Sequence, residues 1–241
     1  MWNYFKREPS IPDLFTTDLH SHLLPNLDDG VKNLEQSIEA IKSFQELGFR
    51  KAITTPHIMS DTYRNSPDTI LPKLNEVKQG LVNRGISFEI EAAAEYYFDE
   101  TLMELILQKK PVLTFGQNYL LFETNTFSEP MMLNDFIFQL KVQGYQPVMA
   151  HPERYQYLQH NLQRVEDLVD RGVLMQINCF SLSGHYSRPI QKVANHLVEN
   201  RLIHFLGSDC HTPHQAKLLK NAFQSKYIHK ALALPLLNYS I

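Results

Sequence analysis

The chain alternates between short apolar runs and longer segments in which apolar residues recur at helical spacing. After Asn33, for example, Leu34, Ile38 and Ile41 fall on one face of a helix that Asn33 caps and Gly48 ends. The apolar runs predict seven β-strands, at residues 14–19, 51–55, 86–94, 119–122, 146–150, 173–178 and 202–206. Further helices are predicted near residues 68–83, 100–108, 131–143, 162–171 and 189–199, with a mostly helical stretch at 213–241.

Strands that alternate with helices indicate a parallel sheet, because each helix returns the chain to begin the next strand in the same direction. A barrel and an open doubly wound sheet both show this alternation. Dinucleotide-binding open sheets usually have a Gly-rich turn after the first strand, and this chain has none there. A barrel of eight units needs roughly 250 residues, so 241 residues fit about seven units. We predict a single α/β domain over residues 1–241, with residues 1–14 as a surface leader.

Side chains that can bind metal follow six of the seven predicted strands. His20 and His22 follow the first strand, and residues two apart in an extended chain point the same way, so this pair can share an ion. The carboxyl ends of parallel barrel strands meet on one face, which is where barrel enzymes place the active site. The candidate ligands are His20, His22, Asp29, His57, Glu95, Glu123, His151, Asp209 and His211.

The number and type of these donors indicate a cluster of metal ions. Nine nitrogen and oxygen ligands exceed the three or four that one zinc ion uses, so we expect two or three divalent ions with bridging carboxylates. Imidazole and carboxylate donors without a thiolate suit manganese, iron or zinc. Cys210 lies between Asp209 and His211, and strand alternation would turn its side chain away from theirs. His185 and His214 lie in predicted loops on the same face and are weaker candidates.

Composition excludes several other classes of protein. The net charge is −3, with 43% hydrophobic and 20% charged residues, and no cluster of Lys and Arg suggests a nucleic-acid partner. Residues 1–7 lack the apolar core and the small-residue cleavage site that a signal peptide needs, so we expect none, and no stretch approaches the roughly 20 apolar residues of a membrane span. Two cysteines are too few for a disulfide framework, which fits a reducing compartment. We therefore expect a cytoplasmic protein.

The two cysteines do not fit the phosphatases that use a cysteine nucleophile. That chemistry needs an arginine six positions after the cysteine, around a single phosphate. Six positions after Cys179 stands His185, and six positions after Cys210 stands Ala216. The sequence therefore points away from a thiol mechanism.

The motifs at the strand ends resemble those of the polymerase-and-histidinol-phosphatase (PHP) superfamily, and more closely those of the bacterial PHP-type protein-tyrosine phosphatases associated with capsule and exopolysaccharide synthesis. They occur in the order of that family across residues 18–211. The motifs are Asp18-Leu19-His20-Ser21-His22 with Asp28-Asp29-Gly30, Thr55-Pro56-His57, Ala94-Glu95-Tyr96-Tyr97, Phe122-Glu123, Ala150-His151-Pro152-Glu153-Arg154-Tyr155 and Ser208-Asp209-Cys210-His211.

This resemblance implies a distorted seven-stranded (β/α)7 barrel of PHP type with a metal site at the C-terminal ends of its strands. It implies that the nine candidate residues bind the metal ions, with manganese preferred, and that Arg154 binds phosphate. The implied reaction is hydrolysis of phosphotyrosine in proteins by a metal-activated hydroxide. The implied partners are a phosphotyrosine protein and a bacterial tyrosine kinase that the enzyme opposes in polysaccharide synthesis.

Two positions depart from the family pattern. Members often carry a second histidine directly after Thr-Pro-His, where this chain has Ile58. Some carry an arginine a few residues past the last histidine, where this chain has Ala216 and Lys217. Arg154 itself could instead form a surface ion pair with Glu153 or Asp170. The residues that bind the outer phosphate oxygens are therefore less defined by the sequence than the metal ligands.

Three other functions fit parts of the pattern. A small-molecule phosphatase of the same superfamily, such as one acting on histidinol phosphate, would use the same ligands. A metal-dependent amidohydrolase also begins with His-x-His, but it commonly bridges its metals with a modified lysine, where this chain has Glu95 and Glu123. An inactive metal-binding regulator would usually have lost ligands, and all nine are present here.

Overall fold

The computed structural model describes residues 15–241, so the predicted leader at residues 1–14 lies outside the described part of the chain. The strands are β1 Thr17–Leu19, β2 Lys51–Thr54, β3 His57–Ile58, β4 Glu89–Ala92, β5 Glu95–Tyr97, β6 Tyr119–Glu123, β7 Gln146–Ala150, β8 Leu174–Asn178 and β9 Phe205–Gly207. The helices are α1 Leu34–Leu47, α2 Pro67–Asn83, α3 Glu100–Leu107, α4 Leu133–Val142, α5 Gln156–Gln159, α6 Leu162–Asp170, α7 Cys179–Ser183, α8 Arg188–Glu199, α9 Pro213–Ala222 and α10 Lys226–Leu232.

All these strands pair in parallel, as the alternation of strands and helices predicts. They form a six-stranded sheet in the order β3-β5-β6-β7-β8-β9 and a three-stranded sheet in the order β1-β2-β4. The chain is thus an α/β fold around parallel sheets, and the prediction of that class is confirmed.

The described residues contain nine strands, so the predicted count of seven is not confirmed. The difference arises where two predicted strands are interrupted. Pro56 separates β2 from β3, because proline has no N–H to donate to a sheet ladder. Opposite this break, Ala93 N donates to the Thr54 carbonyl (3.0 Å) and Glu95 N donates to the Pro56 carbonyl (3.1 Å), so the chain between β4 and β5 follows the same bend.

The two sheets also meet where β1 lies beside β9. His22 N donates to the Cys210 carbonyl (2.8 Å), and Asp209 N donates to the His20 carbonyl (2.7 Å). Asp18 accepts hydrogen bonds from Ser208 through both its backbone N–H (2.9 Å) and its hydroxyl (3.0 Å). These bonds hold the histidines that follow β1 against the residues that follow β9.

Apolar side chains fill the space that the sheets enclose. Leu19, Ile53, Leu121, Val148 and Phe205 come from five different strands and belong to one buried cluster. A larger buried cluster lies between the outer faces of the strands and the helices. The space between strands and helices is therefore packed with apolar side chains, and buried polar side chains occur within strands, as at Asp18 and Gln176, as well as at the strand ends.

The first helix begins and ends as the sequence predicts. The Asn33 side chain accepts a hydrogen bond from Gln36 N (3.0 Å), and Gly48 adopts a left-handed conformation with φ 108°. Helix α2 starts at Pro67 and continues through Pro72. Of the helices in residues 15–241, none has the length and apolar character that crossing a membrane requires. The predicted cytoplasmic location stays a prediction.

Gly207 at the end of β9 provides a test of the contact between β1 and β9. A Cβ atom there would lie 2.1 Å from the Leu19 carbonyl oxygen and 2.8 Å from His20 Cβ. Because the main chain cannot rotate away, we expect Gly207→Ala to lower the free energy of unfolding by an amount at the upper end of about 1–3 kcal/mol.

Gly144→Ala is the matched control for this substitution. Its new methyl would have nothing within 4 Å, and its φ of 85° leaves only a backbone cost, of about 1 kcal/mol. Urea unfolding followed by circular dichroism measures both variants. Equal losses of stability would contradict a tight contact at Gly207.

Candidate metal centre

All nine candidate ligands meet at the C-terminal ends of the strands. The structure contains four overlapping groups in which each residue offers one donor atom and the donor atoms lie within 4.8 Å of one another. The groups are His22–Asp29–His57–His211, His20–His22–Glu95, His20–His151–Asp209 and His57–Glu95–Glu123. Because neighbouring groups share residues, they form one continuous cluster of imidazoles and carboxylates.

The Glu95 carboxylate lies at the centre of this cluster. Its Oε2 atom is 3.1 Å from His20 Nε2, 3.4 Å from His22 Nε2 and 3.2 Å from His57 Nδ1. Its Oε1 atom is 2.8 Å from His151 Nε2. Glu95 is 0% exposed. One buried carboxylate therefore faces four imidazole rings, which is an arrangement suited to bridging cations.

The cluster opens to solvent at Asp29. The Asp29 side chain is 54% exposed, and its Oδ1 atom lies 3.4 Å from His211 Nε2 and 3.6 Å from His57 Nε2. The rings of His22 and His211 stack with their centroids 3.9 Å apart. Glu123 is also near the opening, with its Oε1 atom 3.0 Å from His57 Nδ1 and its side chain 13% exposed. A substrate can therefore approach from this side.

Several buried nitrogen and oxygen atoms in the cluster lack a hydrogen-bond partner within residues 15–241. They include His22 Nε2, His57 Nδ1 and Glu123 Oε1. The nearest opposing atoms are close enough in distance but not aligned for hydrogen bonding. Buried polar atoms are costly unless a bond or an ion satisfies them. The donor set and these unsatisfied atoms both fit bound divalent ions.

Neighbouring charges in the cluster shift the pKa values of Glu95 and His20 in the direction opposite to the effect of burial. Burial alone would raise the pKa of Glu95, but the positive charges of His20 and His57 hold it well below its usual value. Burial alone would lower the pKa of His20, but the Glu95 and Asp209 carboxylates raise it to about 9. The carboxylates are thus ionised and need cations beside them, either imidazolium or metal.

Three of the candidate ligands have a backbone conformation that residues other than glycine rarely adopt. His20 has φ 86°, His151 has φ 35° and Asp209 has φ 52°. Positive φ values cost energy for such residues and concentrate at functional sites. The chain turns sharply at the end of β1, β7 and β9, and this turn brings each side chain back over the strand ends.

Asp28 orients two of the candidate ligands without joining the groups above. Its Oδ2 atom accepts from His22 Nδ1 (2.7 Å) and from His57 N (3.0 Å), and its Oδ1 atom accepts from Gly30 N (2.9 Å). A carboxylate on Nδ1 leaves the lone pair of His22 Nε2 free to bind an ion, and such partners tune metal sites.

A chain of buried hydrogen bonds fixes the orientation of His20. The ionised Asp209 carboxylate can only accept, so Asn178 Nδ2 donates to it (2.7 Å) and Asn178 Oδ1 accepts from Gln176 Nε2 (2.9 Å). Gln176 Oε1 therefore accepts from His20 Nδ1 (2.7 Å). The direction of each bond follows from the previous one. Neutral His20 then carries its proton on Nδ1 and presents the lone pair of Nε2 to the cluster.

Arg154 is attached to the cluster and not to either carboxylate considered from the sequence. Its Nη1 atom donates to Asp209 Oδ2 (2.9 Å), and its guanidinium carbon lies 5.6 Å from the centre of the Tyr186 ring. Glu153 points into the interior, where it accepts hydrogen bonds from Asn178 N (3.0 Å) and Ser181 Oγ (2.7 Å). The Arg154 side chain is 41% exposed, so part of the guanidinium remains open to a ligand.

The other positions noted in the sequence lie apart from the cluster. Among the described residues, His185 and His214 belong to none of the candidate metal-holding groups. Ala216 is buried in the core, and Lys217 pairs with Glu39 on helix α1 (2.6 Å). The arginine found there in some relatives thus has no counterpart beside the cluster at these positions.

Sequence reasoning missed three residues that support the site. Asp28 belongs to one of the sequence motifs, but the sequence alone assigned it no role in the site. Its position beside Asp29 and Gly30 was the signal that could have identified it. Gln176 precedes Asn178 by two positions, so strand alternation predicts that both face the same side. Tyr63, whose ring stacks on His57 with centroids 5.5 Å apart, had no signal in the sequence because it lies in a loop.

Comparisons with family models and with individual proteins identify the same family. Residues 16–232 match the family model described as capsular polysaccharide synthesis, CpsB/CapC. CapC of Staphylococcus aureus is 30% identical over 210 residues, which cover 87% of this chain and 82% of CapC. The tyrosine-protein phosphatase YwqE of Bacillus subtilis is 31% identical over 196 residues, which cover 80% of this chain and 76% of YwqE.

Solved structures show the same fold. One from work on YwqE of Bacillus subtilis and CpsB of Streptococcus pneumoniae, described as metal-dependent tyrosine phosphatases, matches with a TM-score of 0.77 at 29% identity, covering 88% of this chain and 90% of that one. Histidinol phosphate phosphatase of Lactococcus lactis matches with a TM-score of 0.50 at 14% identity, covering 86% and 93%. The match to histidinol phosphate phosphatase, at 14% identity, shows a similar fold alone.

Gln176→Leu tests whether the hydrogen-bond chain prepares His20 for a metal ion. Removing the acceptor frees His20 to exchange tautomers, so we expect about 10–100-fold weaker binding of Mn²⁺. Calorimetric titration of metal-stripped protein measures the affinity, and ¹⁵N chemical shifts of the His20 ring report the tautomer without any metal. Gln146→Leu, at the exposed start of β7, is the matched control. Unchanged affinity and unchanged shifts would contradict the assignment.

Proposed function

The chain belongs to the CpsB/CapC family of capsular polysaccharide synthesis proteins, and we propose that it is a metal-dependent tyrosine-protein phosphatase. It hydrolyses the phosphate ester of phosphotyrosine in proteins. The names of the relatives support this activity, since YwqE and CpsB are tyrosine-protein phosphatases. The observation that carries the proposal is the convergence of eight imidazole and carboxylate side chains around the buried Glu95.

We propose that these nine residues hold two or three divalent ions, with Mn²⁺ preferred and iron or zinc as alternatives. The absence of thiolate from the donor set supports this choice. Glu95 would help to hold more than one of these ions, because its two oxygens face His20, His22, His57 and His151. Bound ions of this kind supply a water nucleophile at neutral pH and neutralise the charge of the phosphate.

Arg154 binds the phosphate and orients it. One edge of its guanidinium is held by Asp209, and the planar fork has further N–H donors that can engage two phosphate oxygens together. Tyr186 beneath the guanidinium limits the positions that Arg154 can take. The arginine is therefore fixed relative to the cluster before the substrate arrives.

The leaving group of the proposed reaction is a tyrosine phenol, which needs little assistance from the protein to depart. A tyrosine phenol titrates near 10, so it departs more readily than an aliphatic alcohol and does not require a strong general acid. The exposed edge of the site at Asp29 and His211 suits a substrate that is part of a folded protein or a peptide. We propose that the enzyme opposes a bacterial tyrosine kinase during polysaccharide synthesis.

We also propose that residues 1–241 form a single domain of PHP type, and that its two sheets together make a distorted seven-stranded barrel. In this description β2 with β3, and β4 with β5, each count as one interrupted strand. The hydrogen bonds between β1 and β9 and the apolar cluster inside the sheets support it.

A substrate panel distinguishes this function from that of a small-molecule phosphatase. Phosphotyrosyl peptides and histidinol phosphate should be compared at equal metal content, verified by elemental analysis. We expect a higher kcat/KM for the peptides. A strong preference for histidinol phosphate would overturn the proposed substrate, and turnover of neither would favour an inactive metal-binding protein.

Removal of the metal tests the proposed chemistry. We expect a chelator to abolish hydrolysis of phosphotyrosyl peptide and added Mn²⁺ to restore it. Cys179 and Cys210 are buried and belong to none of the candidate metal-holding groups among the described residues, so Cys179→Ser and Cys210→Ser should retain activity per mole of folded protein, whereas His151→Ala should lose it. Full activity in chelator, or its loss in either cysteine variant that still binds metal, would contradict this mechanism.

Arg154→Lys tests the phosphate-binding role. Lysine keeps the charge but cannot form the paired hydrogen bonds, and one lost charged hydrogen bond is worth about 1.5–3 kcal/mol. We therefore expect kcat/KM for a phosphotyrosyl peptide to fall roughly tenfold to 100-fold, with unchanged metal content. Arg171→Lys, at an exposed site at the end of α6, is the control. A fall that accompanies loss of metal would instead assign Arg154 to holding Asp209.

A further inference from the structure

A cavity of about 280 Å³ lies beside the metal centre. Its walls come from β3, from the loop after β3, from β5 and from the first turns of helix α3. Ile58, Tyr97 and Leu105 provide much of its apolar surface, and Arg64 and Asp99 lie at its polar side. None of the candidate metal ligands lines it.

The cavity opens on the same face as the metal centre. All of its lining residues belong to β3 or β5, to the segments that directly follow them, or to α3, and these are the segments that form the active face of a parallel barrel. Ile58 follows His57 directly, and Tyr97 is two residues after Glu95 and pairs in register with Glu123. Residues that line the cavity are therefore direct neighbours, in sequence or in strand register, of the candidate ligands His57, Glu95 and Glu123.

The loop that forms one wall is held in place. Asn65 Nδ2 donates to the carbonyls of Leu27 and His57, both at 2.8 Å. Ser60 N donates to Asp99 Oδ2 (3.3 Å), and the other Asp99 oxygen caps helix α3 through Leu102 N (2.8 Å). The wall is thus tied both to the metal centre and to α3, and the cavity has a fixed shape.

Arg64 gives this side of the site a free positive charge. Its guanidinium makes one hydrogen bond within residues 15–241, from Nε to the Ser60 carbonyl (2.9 Å), and has no carboxylate within 4.0 Å in that part of the chain. Its terminal N–H groups remain available. A phosphopeptide is anionic, so the charge beside the cavity complements such a substrate.

We propose that this cavity binds an apolar side chain one or two residues away from the phosphotyrosine of a peptide substrate, with Arg64 donating to oxygen atoms of the peptide. The proposal rests on the function proposed above and adds to it a preference for sequence around the phosphotyrosine. The substrate class is a phosphotyrosyl peptide that carries an aliphatic or aromatic neighbour.

The dimensions agree with this occupant. An extended peptide advances about 3.3 Å per residue, so a side chain one or two residues from the phosphotyrosine lies about 3–7 Å further along the peptide. The volume of about 280 Å³ falls below the roughly 300–1,000 Å³ of pockets that enclose a whole small molecule. The cavity is of a size for one side chain and its adjoining peptide group.

Leu105→Trp tests the proposal by filling the cavity from helix α3. The substrates are short phosphotyrosyl peptides in which one leucine is moved through the two positions on each side of phosphotyrosine, in a glycine and serine background. In the unaltered enzyme we expect leucine at one position to lower KM about tenfold relative to glycine. Leu105→Trp should remove this difference and leave kcat/KM for p-nitrophenyl phosphate, which has no neighbouring residue, unchanged.

Leu107→Trp is the matched control, because Leu107 lies on the same helix, is 53% exposed and does not line the cavity. It should keep the preference for leucine. If Leu105→Trp does not fold, Leu105→Ala enlarges the cavity and should shift the preference from leucine towards phenylalanine. The absence of any positional preference in the unaltered enzyme, or its persistence in the Leu105 variants, would overturn the proposal.

The same peptides with a phosphonate in place of the phosphate separate this proposal from the proposed function. Their Kd values, measured by fluorescence polarisation, report the cavity without hydrolysis. A leucine preference in Kd supports the cavity even if no aryl phosphate is hydrolysed, and that second result would remove the phosphatase function alone. Equal Kd values for all positions, together with hydrolysis of p-nitrophenyl phosphate, would remove the cavity proposal alone.

Discussion

The arrangement of this protein depends on one buried carboxylate. Glu95 is 0% exposed and lies among the rings of His20, His22, His57 and His151. An ionised carboxylate cannot be buried at tolerable cost without positive charge beside it. The surrounding imidazoles supply that charge when no ion is bound, and divalent ions would supply more of it. The fold must therefore bring ligands from several strands to within a few ångströms of one residue.

The main chain contributes to this convergence as much as the side chains do. The left-handed conformations of His20, His151 and Asp209 cost of order 1–3 kcal/mol each, and the hydrogen bonds between β1 and β9 hold two of these turns together. Gly207 permits the close approach of these strands, since a side chain there would meet the carbonyl of Leu19. Strain at the ligands is thus balanced by packing and hydrogen bonds directly beneath them.

Much of this site is predictable because parallel strands obey a simple rule. A residue such as Glu95 or His151 that directly follows a predicted strand must lie on the common face of the sheet, and eight of the nine ligand candidates follow from this rule. Asp29, ten residues beyond the first predicted strand, came instead from its motif beside Gly30. The features that the sequence did not predict depend on contacts between distant segments. The breaks that divide two predicted strands follow from how Pro56 and the chain after β4 bend together. The partner of Arg154 is 55 residues away at Asp209, and the sequence offered only nearer carboxylates.

Asp209 connects the candidate metal ligands to Arg154. Its Oδ1 atom faces His20 Nε2 at 3.4 Å, while its Oδ2 atom accepts hydrogen bonds from Asn178 and Arg154. A shift of this carboxylate would change the surroundings of the candidate ligand His20 and the position of Arg154, the proposed phosphate-binding residue, together. The orientation of His20, through Gln176 and Asn178, is tied to the same atom. The cavity between β5 and α3 shares none of the hydrogen bonds of Asp209, and its wall is linked to the candidate ligands through the bond from Asn65 to the His57 carbonyl.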